Sequence, residues 1–304
     1  MLNFENFGII LETKALCDLS IIIVNYNTAD MLVRCLQSIH SQPFNNLEVI
    51  VVDNASQDNS LEMTKGDFPW AKVIENKRNL GFAKANNQAL KISNGKYIYF
   101  LNPDTELKEG AFNAIMEFMK SNPEVGLAGT RIVNPDGSYQ SSIERHYPGE
   151  RHSKGELSGL KGDIAWVLGA SMIARRIVLR DVGGFDERFF IYGDDIDLCL
   201  SVRRAGWSIG YIPNAGVVHW GGASEKDTLP FELWKKKLDA EFLFYNKYYS
   251  EKTIRAIRRI NIIHALWRII TLNLVLPFCR EKETHIKKLN RYRLILASFR
   301  EREL

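Results

Sequence analysis

Residues 19–27 read LSIIIVNYN, a continuous apolar run that stops at two asparagines and a tyrosine. The run is rich in β-branched residues, which is typical of a strand buried on both faces of a parallel sheet. Similar runs return at residues 47–54 (LEVIVVDN) and 96–104 (KYIYFLNPD). Segments with helical apolar spacing separate them, at residues 31–39, 60–65 and 83–92. This alternation predicts an α/β fold with a mostly parallel central sheet flanked by helices.

Polar residues follow three of the predicted strands. They are Asn25 and Asn27, then Asp53 and Asn54, and finally Asn102 and Asp104. The carboxyl ends of parallel strands meet at one edge of a sheet, and ligands bind in the crevice beyond that edge. Asn and Asp are also ordinary turn residues. Three strand ends together, two of them with a carboxylate, nevertheless favour a binding site.

Two further sets of residues are candidates for catalysis and for metal binding. Asp194, Asp195 and Asp197 follow the aromatic segment 189–192, and a carboxylate beside such a wall suits a general base because its pKa is raised. At a helix start, these acids could instead serve only to complement the helix dipole. His219 follows a short apolar run, where a single histidine is more often a core residue than a metal ligand.

Seven stretches in order make the sequence resemble the inverting glycosyltransferases of family 2, which have the GT-A (Rossmann-like) fold. Within that family the bacterial rhamnosyltransferase-like branch is the most similar. The stretches are SIIIVNYN (20–27), VIVVDNASQDNS (49–60), NKRNLGFAKANNQAL (76–90), YFLNPDTEL (99–107), WVLGASMIARR (166–176), GGFDERFFIYGDDIDLCL (183–200) and VVHWGGAS (217–224).

The resemblance implies a nucleotide-binding role for one set of residues. They are Asn25, Asn27, Asp53, Asn54, Asn79, Gly81, Phe82, Asn86 and Asn102. Asp53 would accept a hydrogen bond from a pyrimidine N–H, and Gly81 would let the backbone approach the ligand. Asn102 stands where many relatives have the first Asp of Asp-x-Asp.

The resemblance also implies which residues bind the metal, which one acts as the base and which contact the acceptor. Asp104 and His219 would hold a divalent metal, Mg²⁺ or Mn²⁺, and Asp195 would be the catalytic base with Asp194 beside it. The family commonly has Glu-Asp at this acidic pair, so exchanged roles for the two residues stay open. The acceptor side would be walled by Trp166, Gly169 and Ala170.

The C-terminal part differs from the rest in charge. The chain has a net charge of +4, whereas residues 226–304 carry 18 Lys and Arg against 9 Asp and Glu. The apolar run 260–278 contains Arg268 and other polar residues, which argues against a clean transmembrane helix. We therefore predict a helix lying on an anionic membrane surface. The alternative is an amphipathic helix packed on the catalytic domain or on a second subunit, as in a homodimer.

Together these features predict three regions: an N-terminal extension (1–18), a GT-A domain (19–225) and a basic amphipathic helical region (226–304). The predicted reaction moves a sugar from a dTDP- or UDP-linked donor, with dTDP-rhamnose the first candidate. Its acceptor would be a hydroxyl of a glycan or lipid-linked glycan in cell-surface polysaccharide synthesis. A nucleotidyltransferase is the alternative, although residues 20–28 lack a Gly-rich basic phosphate loop.

The binding partners and the cellular location are predicted from composition, cysteine spacing and the N-terminal sequence. The aromatic residues of the basic region lie among aliphatic ones, which disfavours a nucleic-acid partner. The four cysteines form no C-x-x-C pair, and residues 1–14 lack the pattern of a signal peptide. We therefore expect a cytoplasmic protein, peripheral on the cytoplasmic face of the cell membrane.

Overall fold

The computed structural model describes residues 17–221, 229–278 and 281–301. The predicted N-terminal extension lies outside these ranges except for Cys17 and Asp18, which begin the first strand. The last three residues of the stretch 217–224 and Cys279 also lie outside the described residues.

The first half of the central sheet is parallel, as the apolar runs predict. Its strands are β1 (Cys17–Asn25), β2 (Leu47–Asp53), β3 (Lys72–Glu75) and β4 (Gly95–Leu101), arranged in the order β3-β2-β1-β4. The connecting helices are α1 (Ala29–His40), α2 (Ser60–Asp67) and α3 (Phe82–Ile92). Ile22 and Ile50 are fully buried, because helices cover both faces of the strands.

The second half of the sheet is mixed. Its strands are β5 (Thr105–Leu107), β6 (Val125–Val133), β10 (Ser171–Arg175) and β11 (Ser208–His219). They continue from β4 in the order β10-β6-β11-β5, and among them only β6 and β11 are parallel neighbours. Its helices are α4 (Ala111–Ser121), α5 (Arg176–Val182) and α6 (Asp194–Arg204). The α/β fold with flanking helices is thus confirmed, and antiparallel β10 ends its parallel half.

Residues 134–163 are mostly irregular. They contain only β7 (Tyr139–Gln140), β8 (Ile143–Glu144) and a 3-10 turn at Glu150–His152. β7 pairs with β6, and β8 forms a separate two-stranded sheet with β9 (Trp166–Val167). Pro148 of this segment lines the cavity described below.

The C-terminal region is helical, in agreement with its pattern. It consists of α7 (Pro230–Tyr248), α8 (Glu251–Val275), a 3-10 turn at Leu276–Phe278 and α9 (Lys282–Glu301). Phe242, Phe244 and Tyr245 of α7 are buried in one cluster with Tyr147 and Phe189. α7 is therefore part of this core cluster. α8 and α9 pack on each other as a hairpin, which joins the same cluster through Ile254, Ile257, Leu294 and Phe299.

Candidate active site

Polar residues at the ends of β1 and β2 come together, as their positions predict. The strand register pairs Asn25 with Asp53, and Asn25 Nδ2 donates to Asp53 Oδ1 at 3.2 Å. Asp53 Oδ2 accepts from the backbone N–H of Ser56 at 3.1 Å. Asn27 Oδ1 accepts from the backbone N–H of Gln57 at 2.7 Å. These contacts shape the loop after β2, and they leave Asp53 only 3% exposed.

Asn54 organises the loop that carries Asn79 and Gly81. Its Nδ2 donates to Asn79 Oδ1 at 2.9 Å, and its Oδ1 accepts from the backbone N–H of Leu80 at 3.0 Å. Gly81 has φ +84°, and a Cβ there would lie 2.6 Å from the backbone oxygen of Phe190. The close contact with the Phe190 backbone therefore requires a glycine at this position. The sequence explained Gly81 by the approach of a ligand and gave no indication of this contact.

Asp104 and His219 meet where β5 pairs with β11. The antiparallel register places His219 opposite Thr105, and the Trp220 backbone N–H donates to the Asp104 backbone oxygen at 3.0 Å. His219 Nε2 consequently lies 3.4 Å from Asp104 Oδ1, with both side chains about nine-tenths buried. On its other side, His219 Nδ1 lies 3.1 Å from Gln140 Oε1, a contact that orients the ring.

This pair has the chemistry of an incomplete cation site. Carboxylate oxygen suits Mg²⁺ and Mn²⁺, and imidazole is a further ligand that Mn²⁺ accepts. Among the described residues, no three His, Cys, Asp or Glu side chains gather as a metal-binding group. Asn102, on the same loop, has a buried Oδ1 without a hydrogen-bond partner in the described structure. The residues therefore fit a cation that completes its coordination with substrate oxygens or water.

Asp194 and Asp195 open α6 after a strained turn, since Tyr192 has φ +66°. Asp195 Oδ2 accepts from the backbone N–H of Gly169 at 2.9 Å, and its Oδ1 accepts from that of Ile196 at 2.8 Å. Burial raises the pKa of both carboxyls, and the charge on Asp195 raises the pKa of Asp194 further. The two N–H donors lower the pKa of Asp195 and so make it the more readily ionised of the pair.

The predicted acceptor wall lies directly against this acidic pair. A Cβ at Gly169 would come within 3.2 Å of the Asp195 Cβ, so a larger residue would displace the carboxylate. Trp166 Nε1 donates to the His146 backbone oxygen at 3.2 Å, and this bond ties the wall to the irregular segment. The backbone oxygen of Ala170 accepts from the Asn102 N–H at 3.0 Å, which links the wall to the loop that carries Asp104.

A single cavity of about 660 Å³ unites most of the predicted residues. The predicted residues that line it are Asn54, Asn79, Gly81, Phe82, Asn102, Asp104, Trp166, Gly169, Ala170, Asp194, Asp195 and His219. Asn25, Asn27, Asp53 and Asn86 do not line it. Asn86 is buried and its Nδ2 donates to the Phe82 backbone oxygen at 3.0 Å, so its contact is within α3.

Helix α7 supplies a wall that sequence reasoning missed. Lys236, Lys237, Ala240, Glu241 and Phe244 line the cavity from one face of this helix. The family-like stretches end before this helix begins. The helical spacing of the residues in 231–249 could have indicated the buried face, but not what that face packs against.

An ion-pair network around the buried Asp197 fixes α7 to the helix that bears the acidic pair. Lys247 Nζ lies 2.7 Å from an oxygen of Asp186 and 2.7 Å from Asp197 Oδ1. The Tyr248 hydroxyl also donates to Asp197 Oδ1, at 2.8 Å. Of the three acids noted in the sequence, Asp197 therefore points to α7 rather than into the cavity. Its bonds hold α6 in place beneath Asp194 and Asp195.

The chain resembles known proteins in both sequence and fold. A family model described as Glycosyl transferase family 2 matches residues 20–183, more than half of the chain. An N-acetylglucosaminyl-diphospho-decaprenol L-rhamnosyltransferase of Mycobacterium tuberculosis is 26% identical over 232 residues, which cover 66% of this chain and 75% of that protein. A low-salt glycan biosynthesis hexosyltransferase of Haloferax volcanii is 26% identical over 218 residues, covering 68% and 69%.

Among solved structures, a mannosyltransferase from Pyrobaculum calidifontis in complex with GDP-Man and Mn²⁺ superposes with a TM-score of 0.58. The match covers 93% of this chain and 86% of that one at 17% identity. It confirms the GT-A fold that the sequence predicts.

Proposed function

The chain belongs to glycosyltransferase family 2, and on that premise we propose that it transfers one sugar, with inversion, from a nucleotide-diphosphate donor to an acceptor hydroxyl. One observation carries the proposal: the Asp195 carboxylate opens into the same cavity as the Asp104–His219 pair. A base and a diphosphate-binding position in one enclosure are what such a reaction requires.

Asp195 acts as the general base in this proposal. Its two backbone N–H donors hold the carboxylate in one orientation, and burial raises its pKa toward that of an effective base. It takes the proton of the acceptor hydroxyl, whose oxygen attacks the anomeric carbon opposite the leaving diphosphate. Burial and the charge on Asp195 raise the pKa of the neighbouring Asp194 well above its usual value.

The donor lies against the carboxyl edge of the sheet. Asn79 offers its amide N–H groups to the nucleotide, while Asn54 and Asp53 shape the adjoining loops through their hydrogen bonds within the protein. Asp104 and His219 would hold a divalent cation, which when bound neutralises charge on the diphosphate. The aromatic and small residues around Trp166 and Gly169 exclude water and leave room for the acceptor.

The substrates are proposed from the relatives. The Mycobacterium tuberculosis relative is named for L-rhamnosyl transfer to a diphospho-decaprenol-linked sugar. We therefore take dTDP-rhamnose as the first donor to test and a lipid-linked glycan as the first acceptor class. A place in cell-surface polysaccharide synthesis follows from such an acceptor.

The test is a screen of nucleotide sugars with Mn²⁺ or Mg²⁺ in which release of the nucleoside diphosphate is followed. We expect turnover with a narrow set of donors, of which dTDP-rhamnose is the first, and the opposite anomeric configuration in the product by NMR. Retention of configuration would contradict the assigned base. Absence of turnover across the donor and acceptor panel would contradict the function.

The C-terminal hairpin carries the proposed membrane contact. Among the described helices, the one at Glu251–Phe278 is long and apolar enough to cross a membrane, and 11% of its apolar window is buried. Its exposed apolar residues recur every three or four positions on the side away from the protein. They are Ile260, Ile263, Trp267, Ile270, Leu274 and Phe278, and Phe278 is 87% exposed.

The packing of α9 against α8 indicates how α8 contacts the membrane. α9 packs alongside α8, and Arg258 Nε donates to the Phe299 backbone oxygen at 2.6 Å. α9 begins with Lys282 and also contains Lys287 and Lys288, cations that a spanning α8 would draw toward the hydrocarbon. We therefore place α8 along an anionic cytoplasmic surface, with its apolar stripe inserted and the cations at the headgroups.

Flotation with vesicles tests this attachment. Removal of everything after residue 226 is unsuitable because α7 belongs to the core. The double variant Ile263→Glu with Ile270→Glu places charge in the stripe, while Asn273→Glu adds charge at an exposed position outside it. We expect the double variant to lose binding to vesicles with phosphatidylglycerol and the control to retain most of it. Unchanged flotation, or a dimer that the double variant dissociates, would contradict the assignment.

A further inference from the structure

Gln140 contacts the His219 ring on the side away from Asp104. It belongs to β7, in the irregular segment 134–163 and outside the seven family-like stretches. Its Oε1 lies 3.1 Å from His219 Nδ1, whereas His219 Nε2 lies 3.4 Å from Asp104 Oδ1. Within the part of the chain that the structure describes, these are the only polar contacts of the two ring nitrogens. His219 is 8% exposed, so water does not readily take the place of the amide.

Strand pairing brings Gln140 to the histidine. In β6, Ile132 lies opposite Gln140 of β7 on one side and opposite Val217 of β11 on the other. Residues paired in this way face the same side of a sheet, and side chains alternate along each strand. His219 comes two positions after Val217 and therefore faces the same side as Gln140. The contact is thus fixed by the backbone and does not depend on a bound ligand.

The position of the amide oxygen determines where the ring carries its proton. A neutral imidazole has one N–H donor and one acceptor nitrogen, and the oxygen of Gln140 can only accept. Nδ1 is therefore the protonated nitrogen, which leaves the lone pair of Nε2 on the side of Asp104. With the proton on Nε2 instead, the ring would donate to Asp104 and would have no lone pair to offer a cation there. Metal-binding histidines are commonly oriented by such a partner on their other nitrogen.

We propose that Gln140 is a positioning residue for the cation site, because it keeps the proton of His219 on Nδ1 and the lone pair of Nε2 available to the metal. The proposal rests on the proposed function, in which Asp104 and His219 hold the cation. It adds a residue that does not line the cavity and acts through the histidine alone. The irregular segment thereby contributes to the cation site as well as to the wall at Pro148.

Metal binding in the absence of turnover is the first test. Titration with Mn²⁺, followed by electron paramagnetic resonance of the free ion, requires neither donor nor acceptor. We expect Gln140→Leu, which keeps the size and removes the acceptor oxygen, to weaken Mn²⁺ binding by about 10- to 100-fold, as is typical when such a partner is lost. Gln140→Glu keeps an acceptor oxygen and should bind at least as tightly as wild type. Ser141→Ala is the matched control, at an exposed neighbouring position whose hydroxyl donates to the Ile143 backbone oxygen.

The tautomer of His219 gives a readout that general destabilisation would not reproduce. Long-range ¹H–¹⁵N spectra of metal-free protein labelled with ¹⁵N-histidine show which ring nitrogen is protonated, and His219→Gln identifies the signals. We expect a protonated Nδ1 in wild type and in Gln140→Glu. In Gln140→Leu the proton should move to Nε2, because Asp104 is then the acceptor that remains beside the ring.

Two results would overturn the positioning role. One is a proton on Nε2 in wild type, which would mean that Gln140 donates through its amide nitrogen. The other is wild-type Mn²⁺ affinity in Gln140→Leu, or an equal loss of affinity in Gln140→Glu. If Gln140→Leu does not fold, the spectra and Mn²⁺ affinities of wild type and Gln140→Glu decide the question. Failure of the proposed function is a different result, because an absence of donor turnover by the wild type would leave the tautomer of metal-free His219 unchanged.

Discussion

Replacement of Asp195 by Asn tests the centre of the proposed mechanism. The carboxylate accepts two backbone hydrogen bonds, from Gly169 at 2.9 Å and from Ile196 at 2.8 Å. An asparagine has one acceptor oxygen, so one of these N–H groups loses its partner, at a cost of about 1–3 kcal/mol. The substitution also removes one of two adjacent buried carboxylates, which relieves repulsion with Asp194 and offsets that cost.

The catalytic loss should be far larger than the change in stability. A positioned general base contributes about 10²- to 10⁴-fold in rate, or roughly 3–5 kcal/mol of barrier. A shift of about 1 kcal/mol in a domain stable by some 5–15 kcal/mol leaves nearly all molecules folded. A fall in kcat of that size therefore reports chemistry and not unfolding.

The assay compares kcat, donor affinity and pH dependence. Donor affinity measured by calorimetry should change little, because the residues proposed to hold the donor, Asn79 and the Asp104–His219 pair, are unchanged in this variant. In the wild type, activity falls as pH falls through the pKa of Asp195, since only the ionised carboxylate accepts a proton. Burial raises that pKa, so the acidic limb should lie above the ordinary Asp range of about 4, and it should vanish in the variant.

Asp194→Asn is the matched control, since it removes the neighbouring acid and leaves both Asp195 contacts intact. It should reduce kcat less. If Asp195→Asn keeps near-normal turnover while Asp194→Asn loses it, the base is Asp194 and our reasoning from the two N–H donors is wrong.

Three further predictions concern the metal, the α6–α7 network and the glycine turn. EDTA should abolish turnover and Mn²⁺ or Mg²⁺ should restore it, whereas full activity in EDTA would contradict the role of Asp104 and His219. Lys247→Met should lower the free energy of unfolding by about 3 kcal/mol in denaturant titration, because it leaves the buried Asp197 carboxylate without its cation; an unchanged midpoint would refute this. Gly81→Ala should lower the melting temperature and weaken donor binding together, because its Cβ would lie 2.6 Å from the Phe190 backbone oxygen. Gly110→Ala, also at positive φ but with open space around it, separates backbone strain from that clash.

The C-terminal region shows where a sequence pattern is informative and where it stops. The spacing of apolar residues correctly predicts helices in 231–249 and 260–278, because helix periodicity is a local property. The same pattern cannot distinguish a face that covers an active site from one that meets lipid. α7 packs on Phe189 and lines the cavity, whereas the stripe on α8 faces away from the protein.

The sequence by itself determined the parallel half of the sheet and the convergence of its polar ends. Continuous β-branched runs favour buried strands, and parallel strands necessarily place Asn25 beside Asp53 at the same edge. The aromatic segment before the acids at the start of α6 already marked them as candidates, and the resemblance assigned Asp195 as the base; the structure places Asp194 and Asp195 in the cavity with most of the other predicted residues.

Only the tertiary structure decided how the distant segments meet. His219 lies beside Asp104 because β11 pairs with β5, a contact across more than a hundred residues that no local pattern encodes. Likewise, Gly81 is required by the Phe190 backbone, and α7 reaches the cavity because its apolar face packs on Phe189 and Lys247 joins it to α6. Local spacing specifies which elements form, but pairing and packing between elements set which side chains share a site.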